Sequence, residues 1–149
     1  MSYKNEMTIK MPAKSINESF ARSAVAAFCV ELNPTLDEIA DIKTAVSEAV
    51  TNCVVHAYPS GNGNIELWVG LSENCVEIKI SDNGIGIENF NQAMQPFFTT
   101  KSTDERAGMG FTVMESFMDS VSLSNNEGGG LVVCLKKILG KNNKVEASA

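Results

Sequence analysis

Glu48, Asn52 and His56 stand four residues apart in "SEAVTNCVVHAY", a spacing that puts them in line on one face of a helix. A carboxylate one turn from a side-chain amide can accept a proton. The amide oxygen is a neutral, hard ligand that suits Mg²⁺ together with phosphate oxygens and water. A solvated polar face would use the same residue types. Here, however, Ala45 and Val55 flank the line, and no Lys or Arg follows Lys43 in the helix.

A second place for chemistry is Asp82. The alternating run Val76, Ile78, Ile80 ends in this acid, and Gly84 and Gly86 follow it. A carboxylate repels phosphate but accepts a hydrogen bond from an exocyclic amine, such as N6 of adenine. It repels O6 of guanine. A charge-assisted bond of this kind is worth about 1.5–3 kcal/mol, and an acid left unpaired disfavours the wrong base. The glycines let backbone approach a flat ring. The same Asp-Asn-Gly also suits a turn in which the aspartate bonds its own backbone. A calcium loop needs acidic positions after Gly84 that are missing.

The third place is "ERAGMGF", where Gly108 and Gly110 precede an expected helix. Amides and the helix dipole there point at an anion. Upstream lie Thr99, Thr100, Lys101 and Arg106, and a basic, glycine-ended loop of this kind can close over phosphates.

These places need elements to position them. "MTIKM" suits a first strand. "SINESFARSAVAAFCVEL" suits a helix opened by a Ser15–Glu18 capping box and stopped by "NP". Thr35 and Glu38 make a second capping box, and the helix behind it is expected to run to about His56. Its core stripe is Ile39, Ile42, Val46, Ala49, Val50, Cys53, Val54 and Ala57. "IELWVGL" and "CVEIKIS" alternate with period two and read as a hairpin. "FTVMESFMDS" suits a short helix, and "VSLSN" with "GLVVCLKK" a closing hairpin around "NEGGG". The order predicts an α+β fold, a mostly antiparallel sheet with helices on one face. One domain over 1–140 is expected, with 141–149 as a frayed tail. Neither a dinucleotide-binding βαβ unit nor a P-loop fits.

Composition agrees. The chain has 149 residues, 44% of them apolar, enough for one core. A formal charge of −6 gives nucleic acid no electrostatic attraction but favours a basic protein partner. No apolar run reaches about 18 residues, and the N-terminal segment has no signal-peptide core, so a cytoplasmic protein without a membrane span is expected. Cys29, Cys53, Cys75 and Cys134 sit among apolar neighbours without C-x-x-C spacing. They read as buried free thiols, and with one histidine they make a poor zinc ligand set.

"INESFAR" at Ile16–Arg22, "SEAVTN" at Ser47–Asn52, "FTTK" at Phe98–Lys101 and "ERAGMGF" at Glu105–Phe111 occur in one chain together with Asp82-x-Gly84-x-Gly86. In this combination the sequence resembles the GHKL ATP-binding fold of gyrase, Hsp90, the MutL-type repair ATPases and histidine kinases. Within that fold it resembles the anti-sigma factor serine kinases of bacteria, above all the anti-sigma F group of endospore formers. The resemblance spans nearly the whole chain. It implies a Bergerat-type site for ATP and Mg²⁺. Asn52 would hold the metal, Glu48 would be the general base, and Asp82 would bind the adenine amine with Gly84 and Gly86 shaping the pocket. Thr100, Lys101, Arg106, Gly108 and Gly110 would form a lid over the phosphates. The sequence departs from the family pattern on the last strand, where a threonine is common and "GGGLVVCL" has Leu131 and Val132.

The resemblance also implies two partners: a sigma factor that is sequestered, and a small anti-anti-sigma protein phosphorylated on serine or threonine. It implies contact roles for Glu18 and Arg22, which as a bare i,i+4 pair would be worth a few tenths of a kcal/mol. The expectation is a dimeric, ATP-dependent protein serine/threonine kinase that takes part in sporulation and regulates transcription. Two alternatives are a binding module switched by ATP without kinase activity, and a histidine-kinase-like catalytic module. The second would need a phosphoacceptor helix pair, for which the chain has no room, and its one histidine, His56, lies in the nucleotide-site helix.

Overall fold

The computed structural model describes residues 2–57, 63–84 and 110–140. In order, the elements are β1 (Asn5–Pro12), α1 (Ile16–Cys29) with a 3₁₀ turn (Val30–Leu32), and α2 (Leu36–Asn52) with a π turn (Cys53–Ala57). Strands β2 (Asn64–Ser72) and β3 (Cys75–Asp82) follow, then α3 (Gly110–Phe117), β4 (Ser120–Asn125) and β5 (Leu131–Ile138). The five strands form one sheet in the order β1-β2-β3-β5-β4, every neighbouring pair antiparallel. This is the expected α+β architecture.

Period two explains the sheet's layering. Registers such as Met11↔Ile65, Leu67↔Ile80 and Ile78↔Leu135 put apolar residues in rows on one face. Ile65, Leu67, Val69, Leu71, Val76, Ile78, Ile80 and Leu135 are fully buried there. The helices cover that face with Val25, Ile42, Val46, Ala49, Val50 and Met114. Alternate residues face outward, where Tyr3 meets the Trp68 ring edge-on at 5.1 Å and Lys79 lies 5.0 Å from it.

Asp82 is the next core-facing residue after Ile80, opposite Ile65, and is 3% exposed. The strand thus delivers a carboxylate to the inner layer at the point where the sheet ends.

The two capping boxes differ. At Thr35 both arms form: the Glu38 amide donates to Thr35 Oγ1 at 3.1 Å, and the Thr35 amide donates to Glu38 Oε1 at 2.8 Å. At Ser15 neither forms. Ser15 is itself helical (φ −55°, ψ −36°), so its hydroxyl is out of place for capping, and Glu18 turns instead to Arg22. Helix α2 stops at Asn52 rather than running to His56 as α-helix, because the backbone widens into a π turn there. Beyond Asn52 the four-residue line therefore loses its phase. Single π turns of this kind are frequent at functional sites.

Cys29 and Cys53 are buried free thiols as expected, whereas Cys75 and Cys134 are half-buried. Their strands put them on the outward face, opposite Ile138 and Lys79, away from the face on which the described helices pack. Among the described residues no group of three or more His, Cys, Asp or Glu is arranged to hold a metal ion. No helix among them is long and apolar enough to cross a membrane. The tail 141–149 lies outside the described residues.

Candidate functional site

Helix α2 carries Glu48 and Asn52 one turn apart on its inner half, and each is only 9% exposed. They are not on a solvated face. Burying a carboxylate and an amide costs free energy unless each finds a partner. Asn52 Nδ2 has no hydrogen-bond partner among the described residues.

Gly110, the first residue of α3, closes on that amide. A Cβ at position 110 would lie 3.0 Å from Asn52 Nδ2 and 3.1 Å from Oδ1. A side chain here would press on the amide, and the contact brings the start of α3 against the end of α2.

Asp82 is held from three sides. Oδ1 accepts from the amides of Gly84 at 2.9 Å and Leu131 at 3.2 Å. Oδ2 accepts from the Cys53 thiol at 3.6 Å. The bond to Gly84 is the local aspartate turn that the sequence also allowed, so one oxygen serves the turn and the other faces the helix. Burial, aided by the Asp82 charge, pushes the Cys53 thiol well above its ordinary range, so it remains a protonated donor. An S–H is a weak donor and a carboxylate has about four acceptor positions. Oδ2 therefore keeps capacity for a stronger donor.

The β4–β5 turn forms another side. Asn126 Nδ2 donates to the Asp82 carbonyl at 2.8 Å and to Asn83 Oδ1 at 3.2 Å. Gly130 has φ +98°, and a Cβ on it would lie 2.0 Å from the Asp82 carbonyl oxygen. No other residue type fits there. Sequence reasoning left Cys53, Asn126, Gly130 and the Leu131 amide out of the site. The glycine run was the one visible signal, and it reads equally well as a plain hairpin turn. Leu131, the first residue of β5, supplies a backbone amide to Asp82.

Of the expected site residues, Glu48, Asn52 and Gly110 come together, and Gly84 joins Asp82. Cys53, next to Asn52, links the two groups. Gly86, Thr100, Lys101, Arg106 and Gly108 lie outside the described residues, as does the His56 side chain. Glu18 and Arg22 lie on α1 as an ion pair of 2.8 Å.

The family pattern described as histidine kinase-like ATPase domain matches residues 11–137. An anti-sigma F factor of Caldanaerobacter subterraneus is 52% identical over 142 residues, covering 95% of this chain and 99% of that protein. One from Bacillus licheniformis is 52% identical over 139 residues, covering 93% and 95%. Among solved structures, the RsbU and RsbW domains of Rv1364c from Mycobacterium tuberculosis match with a TM-score of 0.63 at 19% identity. That match covers 91% of this chain and 32% of the other. The catalytic domain of the histidine kinase ThkA matches with a TM-score of 0.58 at 17% identity, covering 89% and 98%. These two likenesses concern the fold. The chain belongs to the histidine kinase-like ATPase domain family and, within it, groups with the anti-sigma F factors.

Proposed function

We propose that this protein is an anti-sigma factor that binds a sporulation sigma factor and, as an ATP-dependent protein serine/threonine kinase, phosphorylates the anti-anti-sigma protein that opposes it. The observation that carries the nucleotide part is Asp82, a buried carboxylate with one oxygen fixed by two amides and the other given only a weak thiol donor among the described residues. Such an oxygen suits an exocyclic amine and disfavours a carbonyl, which selects adenine over guanine.

The donor set fits Mg²⁺-ATP. Asn52 is a buried amide beside the carboxylate of Glu48, and its Nδ2, a donor without a partner among the described residues, suits a phosphate oxygen. Its amide oxygen would hold Mg²⁺, and the bound nucleotide would supply the transferable phosphoryl group. Glu48 accepts the proton of the incoming Ser or Thr hydroxyl, an effect typically worth about 10²–10⁴-fold. Gly110 opens α3, whose N-terminal amides suit phosphate. Gly108, Thr100, Lys101 and Arg106 are assigned to the phosphates with it, and Gly86 to the base pocket. Positioning and charge stabilisation of this sort are most of what phosphoryl transfer asks of a protein.

The partner assignments draw on the names of the relatives. Glu18 and Arg22 are proposed as partner contacts, and the working form as a cytoplasmic homodimer. The test is to incubate the protein with Mg²⁺-ATP and an anti-anti-sigma protein, then examine the phosphate linkage. Acid-stable phosphoserine or phosphothreonine is expected, and Glu48→Gln should bind ATP as before while losing at least about a hundredfold in transfer. An acid-labile product would favour the histidine-kinase reading. Absence of transfer, with ATP still altering partner binding, would favour the switch. Undiminished transfer by Glu48→Gln would remove its role as base.

A further inference from the structure

Asp82 must present Oδ2 in a fixed direction if it is to discriminate bases. The two backbone amides anchor Oδ1, at 2.9 and 3.2 Å, and whatever play these bonds leave in the carboxyl torsion is carried over to Oδ2. The contact that restrains rotation at Oδ2 comes from Cys53 Sγ, 3.6 Å away. Cys53 stands in the π turn directly after Asn52 and is 3% exposed. Asn52 is itself nine-tenths buried with Nδ2 lacking a partner among the described residues, which independently marks this corner as built for a ligand.

We infer that Cys53 is a positioning residue for base recognition, its S–H holding the Asp82 carboxylate in the plane that turns the remaining acceptor capacity of Oδ2 toward the exocyclic amine of adenine. The inference rests on the reading of Asp82 as the adenine acceptor. A thiol suits the task because it is a weak donor. It orients the oxygen while drawing little of its charge, so the oxygen stays a strong acceptor for the ligand. A hydroxyl could take the same role with somewhat stronger bonding. Alanine could not. The π turn contributes too, since it changes the phase of the backbone at this residue.

The test uses the full chain and calorimetric affinities for Mg²⁺-ATP and Mg²⁺-GTP. Cys53→Ala should bind ATP about fivefold to tenfold more weakly and lose a similar factor in its ATP-over-GTP preference. Cys53→Ser should recover most of both. In an Asp82→Asn background, Cys53→Ala should cause no further loss. Should the alanine variant fail to fold, Cys53→Val keeps the volume without the donor, and its comparison with Cys53→Ser replaces it. An unchanged base preference, or an equal loss with and without Asp82, would make Cys53 a packing residue and overturn the inference. A parent chain that binds no ATP would overturn the nucleotide reading itself, a result distinct from either.

Discussion

Asn52 and Gly110 show how narrow the margins are at the scale of single residues. At 3.0–3.1 Å, a Cβ on residue 110 would press on the Asn52 amide and displace it by a few tenths of an ångström. Metal and phosphate positioning tolerates little such error. Gly110→Ala is therefore expected to weaken Mg²⁺-ATP binding about tenfold while changing the melting temperature little, since alanine is the better helix former. Affinity equal to the parent's would show that Asn52 has no positioning role. Asp82 was legible from sequence because an acid breaks an apolar alternation. Cys53 was not, since a thiol in an apolar run is indistinguishable from core filling. Gly130 was equally hidden, because its need for glycine arises from a backbone 48 residues earlier in the chain.

Elements tell the same story through their ends. The Thr35 box forms and the Ser15 box does not, although the sequence signature is the same. Glu38 has a further tie that Glu18 lacks: its Oε2 accepts from the Gly140 amide at 2.8 Å, pinning the end of the sheet to the start of α2. Burial opposes ionisation of Glu38, but the amides of Thr35 and Gly140, with Lys137 nearby, outweigh it and hold the carboxyl below its ordinary value of 4.5. A depressed value stabilises the fold above the unfolded-state pKa, and that contribution is lost as pH falls through the folded one. Glu38→Gln should thus cost about 1 kcal/mol near pH 7. The gap to the parent should close as pH drops below 4.5, as thermal melts across pH would record. A gap independent of pH would mean that the charge contributes nothing. The helices and hairpins were legible from periodicity, but the placement of β5 between β3 and β4 was not, because that pairing is not local in sequence.

For the molecule as a whole, the described helices pack on one face of the sheet. The proposed homodimer should give, by light scattering, about twice the 16.0 kDa mass of the chain; a mass of one chain at working concentration would refute it. The layered architecture follows from apolar period and the order of elements. The chemistry follows from where that architecture is interrupted: an acid at a core position, an amide in a buried helix turn, a glycine where two helices meet. Three elements and a turn, distant in sequence, converge on Asp82 and Asn52, and the proposed function depends on the base that Asp82 reads. The most direct measurement is calorimetric titration of Mg²⁺-ATP and Mg²⁺-GTP into the parent and Asp82→Asn. The parent should prefer ATP, and Asp82→Asn should lose at least about tenfold in ATP affinity, the equivalent of a charge-assisted hydrogen bond. Equal ATP affinity in the two proteins would contradict the assignment of Asp82 to adenine.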